Sequence, residues 1–186
     1  IDKLASARLS TLSVPCSDKH TGVRVDHKMH VWNPYEAINL EIAEDASLHQ
    51  TWRDAVDGDN LPPMYTDHVF VQSAAARGKT ALGLCLYVDG VPTTKRDGLI
   101  GFWVYVLESP KRHLCAAIRK ARLCNCGCKG WCSFWVIFNW LHWNFAIMND
   151  GYHPRLDHAL NLITDPTRLA IVGEALLFIA ALICIK

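Results

Sequence analysis

Several signatures that would announce a function outright are missing from this chain. It has no H-E-x-x-H pair to bind a catalytic zinc ion and no G-x-x-x-x-G-K-[ST] loop to cradle phosphates. It has no basic-then-apolar signal segment at its start, no internal repeat and no low-complexity tract. It begins at Ile1 rather than Met and stops inside the apolar run ALLFIAALICIK, as if cut from something longer. Eight cysteines in 186 residues are too few for a disulfide scaffold, and four of them share the stretch CNCGCKGWC at 124–132. A reducing, intracellular setting with a local thiol function is therefore expected.

What is present is enough for a core: 51% of residues are hydrophobic and 20% charged, as in a globular domain with or without an appendage. The net charge of +1 hides an uneven distribution. Residues 1–76 carry 6 Lys/Arg against 11 Asp/Glu, residues 77–132 carry 10 against 3, and residues 133–186 carry 3 against 4. The basic middle part points either to an anionic partner, with nucleic acid the usual candidate, or to a solvated basic face.

Hydrophobic patterning divides the chain into an acidic, mainly helical N-terminal arm over 1–61 and a core over 62–186. In NPYEAINLEIAEDASLHQTW, Asn33 is placed to cap, Pro34 suits the first helical position and Glu36 completes a capping box, which predicts a helix over about 34–53. The turn residues of DGDNLPP at 57–63 end it. Between 82 and 120, LGLCLYVDG, LIGFWVYVL and HLCAAIRK read as three strands, and their short connections require an antiparallel meander. SFWVIFNWLHWNFAIM, 133–148, places Phe134, Phe138, Leu141, Phe145 and Met148 on one helical face, with Trp140, Trp143 and Ile147 on an adjacent one. This segment is shorter than a membrane span and carries Asn139, His142 and Asn144, so a core helix is expected. Asp165 and Pro166 open a further helical stretch, and FIAALICIK reads as a wholly apolar strand. A membrane-associated or structural subunit using 133–148 and 169–186 is the rival reading.

The cysteine stretch has the spacing C-x-C-x-C-x3-C, with Gly127 and Gly130 giving the backbone freedom of a tight loop. Cysteines two apart meet disulfide geometry only with strain, whereas thiolates at these spacings can converge on one tetrahedral ion at about 2.3 Å each. Cys124, Cys126, Cys128 and Cys132 are therefore candidate ligands of a structural zinc ion, with His113 or His153 able to replace one of them. Free thiols and a disulfide are the alternatives. Cys16, Cys85, Cys115 and Cys184 lie in apolar or scattered contexts and read as core residues.

Asp89 ends the apolar run LCLYVDG, where Asp-Gly most simply makes a hairpin corner. The order of three antiparallel strands, a long helix and another apolar strand resembles the opening of the ribonuclease-H-like fold. In that fold an Asp on the first strand joins later carboxylates in binding two magnesium ions about 3.5–4 Å apart for phosphodiester chemistry. The segments LYVDGVPTTKRDGLIGFWVYVL, KRHL, CNCGCKGWCSFW and LICIK also resemble an uncharacterised family of multicopy eukaryotic proteins that is similar in layout to transposase cores. That resemblance covers roughly residues 62–186 and implies a transposon-derived origin, a nuclear location and a catalytic, magnesium-binding role for Asp89, with Asp97 a weaker stand-in. The partner carboxylates would fall beyond Lys186, so the chain is expected to be an incomplete, inactive piece of a nuclease or transposase.

A function that needs no complete active site comes from the basic stretch. Lys111, Arg112, Arg119, Lys120, Arg122 and Lys129 are candidate phosphate contacts, and Trp131 could stack on a base or anchor the cysteine loop to the following helix. The expectation is an α+β, partial ribonuclease-H-like core with a cysteine-rich insertion and a transposase-like, nucleic-acid-processing role. A non-catalytic, zinc-stabilised nucleic-acid-binding module is the first alternative. No small-molecule site is evident from sequence.

Overall fold

A computed structural model describes residues 9–161 apart from 46, 59–62, 79–80, 96, 108 and 151–155. The helix and strand expected after Asp165, Cys184 and His153 lie outside the described residues. What is described is a mixed α+β structure with two antiparallel sheets.

The expected meander is present: β3 (Leu84–Thr94), β4 (Asp97–Val106) and β5 (His113–Arg119) pair in sequential, antiparallel order. Strand alternation sends Leu84, Leu86 and Val88, with Phe102, Val104, Val106, Ala116 and Ile118, into the core. Tyr87, Asp89 and Trp103 take the intervening positions. The hairpin corner expected at Asp89 and Gly90 is not there. Both residues lie inside β3, paired with Gly101 and Ile100, and the ribbon runs on to a turn between Thr94 and Asp97. Its exposed end, Val91–Thr94, needs no core beneath it, and Pro92 is accommodated next to a register shift.

The N-terminal part carries a strand pair as well as helices. β1 (Ser10–Ser17) and β2 (Arg24–Val31) form an antiparallel hairpin. Its loop is closed by Asp18, whose Oδ1 accepts the backbone N–H groups of His20 at 3.0 Å and Thr21 at 2.9 Å and the Thr21 hydroxyl at 2.9 Å. These bonds, from Thr21 first, hold the Asp18 carboxyl down at about 2. Leu12, Val14, Cys16, Met29 and Val31 join the same core cluster as the three-stranded sheet.

The single helix expected over 34–53 is two: α1 (Pro34–Glu44) and α2 (Ser47–Asp57). Asp45 makes the break, its Oδ1 accepting the Ser47 N–H at 3.0 Å and the Ser47 hydroxyl at 2.5 Å. Pro34 takes the first turn as expected, but Asn33 makes no side-chain cap. Its amide is buried and engaged elsewhere: Nδ2 donates to Ser10 Oγ at 2.9 Å, and Oδ1 accepts the Trp140 indole N–H at 3.1 Å. Two short helices follow, α3 (Pro63–Thr66) and α4 (Val69–Ala76).

The core helix, α5 (Trp131–Asp150), lies against β1 and α1 and reaches the sheet through Phe134 and Phe138, which pack on Phe102. Its most buried stripe is Ser133, Ile137, Trp140, Leu141, Asn144, Ile147 and Met148. The expected face is thus rotated: Leu141 and Met148 belong to it, while Phe134, Phe138 and Phe145 are half-buried. The cause is the β1–β2 hairpin with α1, which covers a second side of the helix. No helix among the described residues is long and apolar enough to cross a membrane.

Candidate metal centre and basic groove

Between β5 and α5 the chain makes one 3-10 turn, Lys120–Arg122, and then a knuckle that carries the four cysteines. The knuckle is shaped by backbone that only certain residues tolerate. Gly127 has φ +92° and Gly130 φ +86°, both in the left-handed region that favours glycine. A Cβ on Gly130 would also press on the Leu123 side chain at 3.2 Å. The Gly130 N–H closes the loop on Cys124 O at 3.0 Å, and the Trp131 N–H closes it on Cys128 O at 3.0 Å.

The knuckle is tied to the fold by polar contacts that end on β1. Ser133 Oγ accepts the Cys124 N–H at 2.9 Å and donates to Pro15 O at 2.5 Å, both in the interior. Asn125 N–H donates to Ser17 Oγ at 3.0 Å, and Cys16 and Leu123 form an isolated antiparallel bridge. Tight placement of four thiols follows. The Sγ atoms of Cys124, Cys126, Cys128 and Cys132 all lie within 4.8 Å of one another, with Cys126 and Cys132 at 3.6 Å. Four sulfurs at about 2.3 Å from a tetrahedral centre would be roughly 3.8 Å apart, so the quartet could hold a metal ion such as zinc with small adjustments.

The electrostatics of the quartet favour a cation. The Cys132 N–H and the neighbouring Cys132 and Cys126 thiols lower the Cys128 thiol to about 6, while sharing hydrogen with Cys128 and then Cys126 pushes Cys132 up to about 12. Four thiolates crowded this closely cannot all ionise without a positive ion among them, so metal entry would release protons. His113 is not a substitute ligand. Its Nε2 meets the Glu41 carboxylate at 2.6 Å, away from the knuckle. Cys16, Cys85 and Cys115 are buried, as expected of core residues, and burial raises the Cys16 thiol and pushes Cys115 up to about 12.

The structure splits the candidate phosphate contacts into two groups. Lys111 pairs with Glu44 at 3.2 Å, and Arg112 lies over the Tyr105 ring at 3.7 Å while donating to Ser109 O and Lys111 O. Arg119 pairs with Asp97 at 2.6 Å. Lys120, Arg122 and Lys129 form no ion pair among the described residues. Lys120 and Lys129 come together at one groove, whose lining also includes Trp131, Phe134, Phe138 and Asp89. The Trp131 side chain is 55% exposed although its ring touches Trp135 and Phe138, so it both anchors the knuckle to α5 and offers a free face.

Both acidic candidates are engaged by donors of the protein itself. Asp89 Oδ2 accepts the Tyr87 hydroxyl at 2.6 Å and Oδ1 its neighbour Gly90 N–H at 2.7 Å. Asp97 is engaged by the Ala121 N–H at 3.0 Å, by Arg119 and by the Gly98 N–H, and these bonds, from Ala121 first, hold its carboxyl below the usual range. Among the described residues the cysteine quartet is the one group of three or more such side chains positioned to share an ion.

A buried polar cluster went unforeseen. Glu41 of α1 accepts a short hydrogen bond from the Ser109 hydroxyl through Oε1 and meets His113 Nε2 through Oε2. The serine bonds the glutamate rather than the histidine, so the three do not form a nucleophile-base pair. They clamp α1 to the start of β5. The residues stand 68 and 72 positions apart in sequence, and only the unexplained charge on the buried side of α1 could have signalled them.

Comparison of the chain with protein families, with characterised proteins and with solved structures finds no match.

Proposed function

We propose that this chain is a metal-stabilised nucleic-acid-binding domain, the binding portion of a transposase-like nucleic-acid-processing protein. The observation that carries this reading is the convergence of a cysteine quartet with two cations and an exposed aromatic. Lys129 and Trp131 sit between Cys128 and Cys132 in the knuckle, and Lys120 lines one groove with them. A zinc ion on the four thiolates would fix that surface as a structural site does, with no open coordination position for chemistry. Cations along a groove with an exposed indole are the parts from which single-strand binding surfaces are made.

The test is fluorescence anisotropy of a labelled single-stranded oligonucleotide titrated with the zinc-loaded protein over a range of salt. Binding should weaken with salt by about 0.7 log units per log unit of salt for each phosphate neutralised. Reversal of Lys120, Arg122 and Lys129 to Glu together should abolish it, while Asp89→Asn should not weaken it. Retained affinity in the triple reversal, or affinity indifferent to salt, contradicts the proposal.

A catalytic role for Asp89 is a second proposal, supported by the meander followed by a core helix, which is the ribonuclease-H-like order. It requires magnesium and further carboxylates beside Asp89, and nothing among the described residues supplies them.

A further inference from the structure

The groove beside the knuckle has more definition than a charged surface. It encloses about 330 Å³, within the range of small-molecule sites. Val88, Ile100, Phe134 and Phe138 make an apolar floor, and Lys120 and Lys129 stand at the rim. Two glycines make room for the first lysine. A Cβ on Gly90 would lie 2.9 Å from Lys120 Nζ, and one on Gly98 would lie 3.3 Å from Lys120 Cδ, so the Lys120 stem lies across bare backbone on adjoining strands. Asp89 lines the groove as well. Alternation along β3 turns its side chain away from α5, to the face where it accepts the Tyr87 hydroxyl. Lys129 takes φ +52° in the knuckle, so the loop that carries the thiols also sets the second cation.

An apolar floor, a half-exposed indole and two cations in one groove fit a planar aromatic group joined to an anion. Resting on the nucleic-acid reading above, we infer that this groove is a pocket for one unstacked nucleotide, its base lying against Trp131 and its phosphate held by Lys120 and Lys129. Affinity from the backbone would be shared along the strand, and this pocket would take a base that has left the stack.

The experiment is a titration of the isotopically labelled, zinc-loaded protein with AMP, adenosine and ribose 5-phosphate. The indole N–H signal of Trp131, assigned by its loss in Trp131→Phe, is followed by NMR. AMP should shift that signal saturably, and each half-molecule should bind about tenfold more weakly or worse. Gly90→Ala should keep the fold, because the atom it meets is the far end of a flexible chain, and should weaken AMP about tenfold by displacing the Lys120 ammonium. Equal binding of ribose 5-phosphate and AMP, equal binding of adenosine and AMP, or no movement of the Trp131 signal overturns the pocket. If AMP fails while the oligonucleotide still binds in a salt-dependent way, the pocket is overturned and the nucleic-acid reading stands. If AMP binds as described and the oligonucleotide does not, the pocket stands and that reading fails.

Discussion

At the scale of single residues, a few polar side chains fix positions that the apolar core alone would leave loose. His113 and Ser109 both act on the buried Glu41 carboxylate, whose desolvation is offset only while those partners are present. His113→Ala is therefore expected to lower stability by roughly 3 kcal/mol, read as a shift in the denaturant midpoint, whereas a shift below about 0.5 kcal/mol would mean the carboxylate is not held as described. Asp18 works at the surface. Its carboxyl, at about 2 against an ordinary 3.8, should titrate near pH 2 when followed by NMR. Because the folded value is the lower one, the stabilisation it gives the β1–β2 loop is complete above pH 3.8 and disappears as the pH falls through about 2. A carboxyl titrating near 3.8 would contradict the loop bonding. Neither role could be read from sequence. The Glu41 partners are remote along the chain, and Asp18 looks like any polar loop residue until the turn around it is known.

Among the elements, the knuckle and the β1–β2 hairpin support each other. Ser133, the third residue of α5, connects the Cys124 N–H to Pro15 O in the interior. Ser133→Ala leaves that N–H buried without its acceptor and should cost about 1–3 kcal/mol by thermal unfolding, and an unchanged midpoint would show that the connection is immaterial. The meander and α5 were legible because their patterns are strong: apolar runs broken by turn residues, and an apolar segment of helical length. The hairpin was not. Leu12, Val14 and Cys16 do alternate, but Pro15 interrupts the run and β2 shows only Met29 and Val31 on its buried side, so the period-two signal is short and one-sided. Asp-Gly at 89–90 misled in the opposite sense. The local preference for a turn yields to cross-strand pairing that continues to Thr94.

At the scale of the whole molecule, the consequence of the hairpin is that, among the described residues, the main core cluster draws on both the acidic and the basic parts of the sequence. Composition revealed the basic middle, yet not that Lys111, Arg112 and Arg119 are held by Glu44, Tyr105 and Asp97, which leaves the end nearest the knuckle to meet an anion. The cysteine site was the most legible feature, since four thiols in nine residues can reach a common centre whatever the surrounding fold. All of the functional account depends on that centre being filled. The most direct test is elemental analysis of the full chain purified under reducing conditions, with thermal unfolding before and after a chelator. One zinc ion per chain is expected, with a loss of stability on its removal of about 4 kcal/mol if free zinc had stood a thousand-fold above its Kd. No bound metal, together with an unfolding curve indifferent to the chelator, would contradict it.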